Sequence, residues 1–456
     1  MNFILVPLHT DTLDTSSYSD NTYFYVYAAF FNVLLAYGME TAFFRFFSKS
    51  EKKQTVFSTA LISLTVSTII VIAVVFAFSN QLSDVVNLRQ DYFNYLMGVL
   101  ALDALVVVPF AYLRATGKPL KFTAIKITNI AIYVALNFFF LWAIPKFGIE
   151  VSGYNPNDLV KYIFISNLAA SLVTFLLLSP YFFKSKWLFD VATLKQMLSY
   201  AWPIMVAGLA YVINENFDKW LIPDLLGKDI NGAYAGCYKL AVFMTIFIQA
   251  FRLGAEPFFF NYAKEKNAKE TYALIMKYFV ISGCIMLLVI VGFIDVFKGL
   301  IVRDEAYWLA LDIVPIVLLA NLFLGIYFNL AIWYKLTDKT RFGMYISVIG
   351  AVITIALNLI LIPKMGFIAA AWTTLIAYAA MMLISYVLGQ KHYKVPYNFS
   401  RISLYILLAV LLSGLLYIKL RGNYYLSFTL ILTFAVFVLV LEHREIKQLL
   451  KHHPND

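Results

Sequence analysis

A few charged residues lie inside long apolar stretches, where a charge is costly and therefore a candidate for function. Lys239 lies about eight residues, or ~12 Å, into one such stretch. Arg252 and Glu256 follow it one helical turn apart, so they share a helix face. Asp103 stands in the middle of another stretch. Such cations could bind an anionic ligand, and an embedded carboxylate could bind H⁺ or Na⁺.

Each of these residues also has a structural interpretation. Lys239 could snorkel toward the membrane interface along neighbouring tyrosines. Arg252 could form an intrahelical ion pair with Glu256, and Asp103 could pair with a Lys or Arg of another helix. At the level of sequence, ligand binding and local charge compensation both stay open.

Other charged residues stand at the ends of apolar segments. Arg45 and Arg114 could contact substrate, but topology signalling and contact with lipid phosphates would explain both well. Glu215, Asp218 and Lys219 cluster at the outer end of a segment, where we expect solvated surface charges.

The chain repeats itself at one fixed offset of 216 residues. The dense part is a Gly-x-Glu-x-x-Phe-Phe signature at the end of a long apolar segment in each half, and it pairs Glu40 with Glu256. These carboxylates could bind an ion, or could cap local backbone beside the glycines. The matching pairs are Pro7/Pro223, Tyr18/Tyr234, Gly38/Gly254, Glu40/Glu256, Phe43/Phe259 and Phe44/Phe260.

Composition places the chain in a membrane. It is 62% hydrophobic and 14% charged, whereas soluble domains are about 45–50% apolar. A helix of about 20 apolar residues crosses the hydrocarbon, and the period-2 alternation of an outer-membrane barrel is absent. We therefore predict an all-α polytopic membrane protein with complete spans at about 21–44, 55–79, 92–113, 120–144, 158–182, 197–222, 231–260, 271–294, 309–334, 342–362, 366–388, 402–418 and 423–441.

The basic residues predict the orientation. If alternate loops are assigned to the two sides, the side that begins with the loop from Arg45 to Lys53 holds 25 of the 36 Lys and Arg. Cytoplasmic loops carry the basic excess, so this side and the C-terminus are predicted to be cytoplasmic. The net charge of +10 is then mostly a topology signal, and we predict no nucleic-acid partner.

The offset of 216 residues steps over six spans, an even number, so the two copies are predicted to point the same way across the membrane. We predict two parallel six-helix lobes, at residues 1–190 and 191–390, with two C-terminal helices and a cytoplasmic tail at 391–456. A weaker echo supports the repeat, because Leu136-Asn137 precedes a Pro-Lys-x-Gly turn as Leu357-Asn358 does. Duplicated bundles of this kind are usually transporters with the substrate site between the copies.

The repeat also indicates that the first helix is largely missing. Residues 1–6 align with 217–222, the outer tail of a complete span, and residues 2–8 are too short to cross a bilayer. Fourteen spans are therefore expected in all, with an in-frame apolar segment of about 20 residues upstream of the Met1 codon.

Patterns of catalytic or metal-binding residues are absent from the sequence. Cys237 and Cys284 fall inside apolar segments, so neither a disulfide framework nor a cysteine metal site is expected. The five histidines are assigned to loops or tails, and neither a Gly-rich phosphate loop nor a Ser-His-Asp set is visible. We predict no enzyme activity, no cofactor and no metal.

The segment Tyr37–Phe46, which contains the repeat signature, resembles the second-span motif of Wzx-type polysaccharide flippases. These are O-antigen and exopolysaccharide exporters of the MOP superfamily, related to MATE drug exporters and lipid II flippases. Asn358 to Pro363, Gly366 and Ala369–Ala371 resemble that family's junction between the eleventh and twelfth spans. The resemblance covers essentially the whole chain, apart from the missing first span.

The resemblance implies a two-lobed transporter of a bacterial inner membrane, which moves an undecaprenyl-diphosphate-linked oligosaccharide to the periplasmic leaflet by alternating access. It implies a cationic central cavity, coupling to H⁺ or Na⁺, and membrane lipids as further partners. The candidates for substrate binding are then Lys239, Arg252, Arg45 and Arg114, and those for ion coupling are Asp103, Glu256 and Glu40. Two rivals are a MATE-like drug or cation exporter and a membrane-embedded polysaccharide polymerase or glycosyltransferase.

Overall fold

The computed structural model describes residues 2–183, 186–337 and 339–451. Within these ranges the chain is helical apart from short connections, and it contains no β-strand. In the same ranges, 13 helices or runs of consecutive helices are long and apolar enough to cross a membrane. The prediction of an all-α polytopic membrane protein with these spans is confirmed, while Met1 and residues 452–456 of the predicted tail lie outside the described residues.

The helices are numbered in chain order. A π-helical turn, Phe139–Ala143, joins α7 to α8, and 3-10 segments cover Lys239–Ala241 and Glu305–Ala310. The α-helices of the described ranges are α1 (Asn2–Thr12), α2 (Thr15–Ala36), α3 (Met39–Lys49), α4 (Lys53–Ala77), α5 (Ser79–Val85), α6 (Gln90–Ala115), α7 (Pro119–Phe138), α8 (Ile144–Phe147), α9 (Leu159–Leu178), α10 (Pro180–Phe183), α11 (Val191–Leu226), α12 (Lys228–Tyr238), α13 (Val242–Tyr262), α14 (Ala268–Gly292), α15 (Ile294–Ile301), α16 (Ile313–Leu330), α17 (Ile332–Leu336), α18 (Arg341–Met365), α19 (Ile368–His392), α20 (Phe399–Ile418) and α21 (Tyr424–Lys451).

Acidic side chains begin two of the long helices. The Asp14 carboxylate accepts a hydrogen bond from the backbone N–H of Ser17 at 2.7 Å, at the start of α2. Asp190 accepts one from the backbone N–H of Thr193 at 2.9 Å, at the start of α11. Inside lipid a helix satisfies its own backbone groups, so side-chain partners of this kind are needed only at its ends.

The chain divides into two compact units, Met1–Ala235 and Gly236–Asp456. The first contains α1 to α11 and most of α12, and the second contains the remaining helices. The helix α11, which the repeat assigns to the second lobe, thus belongs to the first compact unit. The lobe boundaries at 190 and 390 follow from the repeat rather than from compactness, so they stay a prediction.

The repeat signature adopts a different backbone conformation in each unit. In the first unit Tyr37 and Gly38 have φ angles of 32° and 72°, which separate α2 from α3. A Cβ atom on Gly38 would lie 2.6 Å from the carbonyl oxygen of Ala201 in α11. In the second unit α13 runs through Gly254 without a break, and a Cβ atom there would meet nothing within 4 Å. Geometry therefore requires the first glycine but not the second.

The first phenylalanine of the signature packs in the same way in both units. Phe43 and Phe259 are buried. The ring centroid of Phe43 lies 6.3 Å from that of Phe57 on α4, and that of Phe259 lies 4.9 Å from that of Tyr272 on α14. Each ring thus fixes the end of its helix against the span that follows, which explains why duplication retained it.

The asparagines of the weaker echo, Asn137 and Asn358, are both fully buried. The glycines after them, Gly148 and Gly366, have φ angles of 59° and 71°. Asn137 Oδ1 lies 3.0 Å from Nε2 of His9, which is itself buried on α1. The assignment of every histidine to a loop or tail was therefore wrong for His9, His392 and His443, which lie in α1, α19 and α21, while His452 and His453 lie outside the described residues. His9 is buried because α1 packs against α7 and the π-helical turn.

Gly38→Ala should lower the stability of the protein, whereas Gly254→Ala should preserve or raise it. An L residue in the left-handed region costs about 1–2 kcal/mol, before the overlap with the Ala201 carbonyl is counted. Alanine in a helix interior is favoured over glycine by up to about 1 kcal/mol. Thermal unfolding of the two purified variants measures the difference, and equal unfolding temperatures would show that the break at Gly38 is dispensable.

Candidate functional site

A cavity of about 570 Å³ opens among α2, α3, α6, α7 and α9 of the first unit. Its wall carries four charged side chains, together with tyrosines, asparagines and hydroxyl groups. The four charged residues are Glu40, Asp103, Arg114 and Lys126, and the first three were sequence candidates. Charged side chains inside membrane proteins usually face such cavities, where they meet ligands. We call this the first-unit cavity.

Arg114, in the last turn of α6, forms an ion pair with Glu40, in the first turn of α3. Its guanidinium carbon lies 4.9 Å from the ring centroid of Phe44 and 5.1 Å from that of Phe122. Both rings attract the cation, so they hold the guanidinium in place independently of the carboxylate. The break at Gly38 puts Glu40 at a new helix N-terminus, where the helix dipole favours a negative charge.

Asp103 lies in the middle of α6, and its carboxylate accepts a hydrogen bond from the hydroxyl of Ser171 on α9 at 2.8 Å. Eleven residues, or about 16 Å of helix, separate it from Arg114. The first-unit cavity therefore extends from an ion pair at the end of α6 to a carboxylate in the middle of that span. A carboxylate at this depth can bind a proton or a cation.

Lys126 also lines the cavity, although it was not among the candidate residues from sequence. Its ammonium nitrogen lies 4.3 Å from the ring centroid of Phe110, and its charge interacts with those of Asp103 and Arg114. The available signal was its position, seven residues after α7 begins at Pro119 and within apolar sequence. A charge that serves only as a topology signal would lie before the helix begins.

Uncharged polar side chains complete the wall on the side of α2, α7 and α9. The hydroxyl oxygens of Tyr25 and Tyr133 lie 2.9 Å apart, and the Asn167 amide donates to Tyr25 at 3.2 Å. The Asn129 amide donates to the hydroxyl of Thr174 at 2.9 Å. These groups offer both donors and acceptors, which suits a ligand that carries hydroxyl groups.

The second unit carries a smaller charged site. Glu256 of α13 forms an ion pair with Lys335 of α17, and the guanidinium carbon of Arg252 lies 4.1 Å from the ring centroid of Phe328. These residues border a cavity of about 10 Å³, room for about one water molecule. The intrahelical Arg252–Glu256 pair considered from sequence is replaced by a pair between helices, because Lys335 approaches Glu256 while Arg252 stacks on Phe328.

The two glutamates of the repeat thus have matching partners. Arg114 stands near the end of the span Gln90–Ala115, and Lys335 stands near the end of the span Ile313–Leu336. In both units this is the second span after the glutamate's own. The repeat revealed only the carboxylates, because the partners differ in residue type and do not fall at the offset of 216.

Arg45 and Lys239 line neither of these cavities. Arg45 is exposed, with its guanidinium carbon 4.2 Å from the ring centroid of Tyr200 on α11. Lys239 is half-buried and begins the 3-10 turn between α12 and α13. The structure groups the other five sequence candidates into two sites and leaves these two apart from both.

Two of the three charged residues of the α11 cluster are buried and the third, Glu215, is half-buried, contrary to the prediction of solvated side chains. Asp218 and Lys219 are 3% and 7% exposed. The Lys219 ammonium donates to the Asp218 carboxylate at 3.1 Å and to the backbone carbonyl of Glu215 at 2.7 Å. The Tyr234 hydroxyl, on α12, donates to Asp218 at 2.5 Å. Because α12 covers this end of α11, the opposite charges compensate each other in the interior.

A second buried network joins the last two helices to the second unit. Glu442 of α21 is fully buried and accepts hydrogen bonds from Lys277 of α14 at 2.6 Å and from Arg401 of α20 at 2.7 Å. Tyr405 donates to the same carboxylate, and Glu445 pairs with Lys277. The helices α20 and α21 are therefore integral parts of this compact unit.

The described part of the chain has 13 candidate spans and a charged, polar cavity among its helices, and these are features of a multi-pass membrane transporter. A family model described as polysaccharide biosynthesis protein matches residues 1–255, and a second model, MatE, matches residues 203–360. The first match covers more than half of the chain, so the protein belongs to the polysaccharide biosynthesis protein family. No curated protein matches it in sequence.

Solved structures share this fold at low sequence identity. The lipid II flippase MurJ, in an inward closed conformation, is 15% identical, with a TM-score of 0.68 over 97% of each chain. An inward-facing multidrug resistance MATE family transporter of the MOP superfamily is 13% identical, with a TM-score of 0.68 over 88% of this chain and 94% of that one. The chain thus shares the fold of these two proteins, as the resemblance implied.

Glu442→Gln should destabilise the protein far more than Glu40→Gln. Breaking a buried ion pair costs about 3–5 kcal/mol, and Lys277 and Glu442 are 6% and 0% exposed. The Arg114 and Glu40 side chains are 37% and 46% exposed to the cavity, and such pairs contribute about 0–1 kcal/mol. Unfolding of the purified variants measures both losses. Comparable values would contradict the distinction between a structural pair and a ligand-facing pair.

Proposed function

We propose that the protein moves an undecaprenyl-diphosphate-linked oligosaccharide from the cytoplasmic to the periplasmic leaflet of a bacterial inner membrane, for surface polysaccharide or lipopolysaccharide synthesis. The family match and the MOP fold support a flippase. The headgroup passes through the protein by alternating access, while the prenyl tail stays among the membrane lipids. The protein does no chemistry on the sugar.

The first-unit cavity is the observation that carries this proposal. A diphosphate that leaves water needs fixed positive charge and hydrogen-bond donors, and arginine can bind its oxygens in pairs. Arg114 and Lys126 supply the charge, and the asparagines and tyrosines of the wall supply partners for sugar hydroxyls. A substrate with a charged and a polyhydroxylated part matches both features.

The other sequence candidates keep proposed roles. Arg252 serves as a substrate contact in the second unit, and Lys239 and Arg45 are proposed as further contacts on the grounds of charge and depth alone. Ion coupling is assigned to the carboxylates that line the two cavities, Asp103, Glu40 and Glu256.

We place the C-terminus and the basic loops in the cytoplasm, following the positive-inside rule. Lys49→Cys and Lys264→Cys should then react with an impermeant thiol reagent only from the cytoplasmic face, and Lys364→Cys only from the periplasmic face. Background labelling should be low, because Cys237 and Cys284 are buried. Labelling of the first two positions from opposite faces would rule out two co-oriented copies.

Arg114→Gln and Lys126→Gln should each lower the rate of flipping at least ~10-fold in proteoliposomes that contain a fluorescent undecaprenyl-diphosphate-linked oligosaccharide. A hydrogen bond to a charged group contributes about 1.5–3 kcal/mol, and about 1.4 kcal/mol corresponds to a factor of ten. Lys239→Ala and Arg252→Ala should also impair export, at unchanged membrane abundance. Lys49→Ala, at an exposed cation of the same unit, is the control. Wild-type rates from both cavity variants would exclude this cavity from the substrate path.

A MATE-like drug or cation exporter is the second candidate. The match to the MatE model and the presence of Asp103 in a cavity favour it, since a carboxylate can bind a cationic drug. Expression in cells that lack a drug exporter, and in cells that lack a polysaccharide flippase, separates the two functions. Restored drug resistance without restored polysaccharide would favour drug export.

A polymerase or glycosyltransferase would instead elongate the labelled oligosaccharide in the proteoliposomes.

A further inference from the structure

We propose that the second unit holds one phospholipid, with an acyl chain in an apolar groove beside α20 and its ester and phosphate oxygens at hydroxyl groups near the start of that helix. The groove has a volume of about 450 Å³ and is lined by α14, α16, α19, α20 and Tyr397, two residues before α20 begins. We call it the second-unit groove. The site is independent of the transported substrate and of the first-unit cavity.

The second-unit groove has a closed floor and an open edge. Met276 and Leu330 of the floor are 2% and 4% exposed, whereas Leu383 and Leu407 at the edge are 50% and 57% exposed. All four helices of the wall belong to candidate membrane spans. Lipid tails are as apolar as leucine side chains. The edge of the groove therefore opens to the acyl chains of the bilayer.

One face of α20 forms a wall of the groove. Phe399, Ser403, Ile406 and Val410 line it at spacings of three and four residues, so they share a helix face. Arg401 lies on the opposite side of the helix, in the buried ion-pair network with α14 and α21. Ion pairs thus hold one side of α20, while its other side faces the groove.

The groove is as long as the hydrocarbon of one leaflet is deep. Eleven residues separate Phe399 from Val410, so α20 rises about 16 Å along the groove. The hydrocarbon of a bilayer is about 30 Å thick, which leaves about 15 Å for each leaflet. The groove begins near the connection between α19 and α20, which the proposed orientation places at the cytoplasmic interface. A chain that enters at that interface reaches the end of the groove near the bilayer midplane.

The volume of the groove matches one acyl chain. At about 30 Å³ for a group of the size of a water molecule or a methylene, 450 Å³ holds about 15 groups. The same allowance gives about 1,650 Å³ for the roughly 55 carbons of an undecaprenyl tail. One phospholipid chain therefore fills the groove, whereas only about a quarter of the tail of the proposed substrate would fit in it.

Three hydroxyl groups supply the polar contacts of the site. They belong to Tyr386, Tyr397 and Ser403, and the ring centroids of the two tyrosines lie 6.2 Å apart. Tyrosine suits the membrane interface, because its ring is apolar and its hydroxyl is polar. These hydroxyls can donate to the ester and phosphate oxygens of a lipid. In the described ranges no charged side chain lines the groove, so zwitterionic and anionic phospholipids should both bind.

Native mass spectrometry of the full-length protein, purified in a mild detergent, tests the site. The probes are phosphatidylethanolamine and phosphatidylglycerol, each added back to delipidated protein. We expect one tightly retained phospholipid per chain with either probe. The bound lipid should also raise the unfolding temperature, because a ligand that binds only the folded state stabilises it.

A larger side chain in the groove should exclude the lipid. Ile406→Trp should lower lipid retention at least ~10-fold and abolish the shift in unfolding temperature, because it takes the place of buried methylenes of the chain. Ile418→Trp, at a position of the same helix that is 74% exposed and outside the groove, is the matched control and should retain the lipid.

Loss of the hydroxyls should weaken the site without blocking it. The double variant Tyr386→Phe/Tyr397→Phe keeps both rings and should lower lipid retention at least ~5-fold, since two hydrogen bonds are lost. Tyr425→Phe, at an 89% exposed tyrosine of the same unit, is its control. This conservative variant also decides the question if Ile406→Trp fails to fold.

Photolabelling of the wild-type protein gives a further measurement. A phosphatidylethanolamine with a diazirine in the middle of its acyl chain should form adducts at groove residues of α19 and α20, and excess unlabelled phospholipid should abolish them. Adducts spread evenly over the lipid-exposed helices would overturn the proposal.

Other outcomes would also exclude the phospholipid. Folded wild-type protein without retained phospholipid, or equal retention by Ile406→Trp and Ile418→Trp, would overturn the proposal and leave the flippase function standing. Retention of undecaprenyl phosphate in place of phospholipid would assign the groove to a prenyl tail. A lipid-free dimer joined through α20 would assign it to a second copy of the chain.

Discussion

A charge inside a membrane protein is tolerated beside an opposite charge or a hydrogen-bond donor, since water cannot solvate it there. The helix contacts follow from this requirement. Glu442 of α21 accepts hydrogen bonds from Lys277 of α14 and Arg401 of α20, and these bonds join the three helices. Asp218 and Lys219 are compensated under the cover of α12. In lipid, apolar contacts alone would not determine how each helix is rotated about its own axis. The ion pairs determine it, because each charged side chain must face its partner.

The same requirement distinguishes structural charges from charges that can act on a ligand. Lys277 and Glu442 are sealed among helices, so exchanging either partner would leave a buried charge uncompensated. Glu40 and Arg114 line a cavity of about 570 Å³ and are 46% and 37% exposed, so this pair is open to contact with a ligand. Burial, rather than the presence of an ion pair, thus separates the two roles.

The two copies of the repeat keep one glutamate–cation ion pair, but the helix and the cavity around that pair differ. Both units pair a glutamate with a cation near the end of the second following span. In the first unit the break at Gly38 begins a new helix at the glutamate, beside a large cavity. In the second unit the helix continues through Gly254, and the glutamate borders a space for about one water molecule. The two copies therefore share an ion pair, but the cavity beside it is about 570 Å³ in the first unit and about 10 Å³ in the second.

The sequence by itself determined the thirteen spans, the repeated glutamates and the buried phenylalanines, because hydrophobic length and repeat spacing are local properties of the chain. It did not determine which charges meet. Glu40 and Arg114 are 74 residues apart, and Lys277 and Glu442 are 165 apart. Only tertiary packing decided that Lys126 faces a cavity and that Asp218 is buried. Which face of a helix a neighbour covers depends on contacts between distant spans, and the compensation of each charge follows from those contacts.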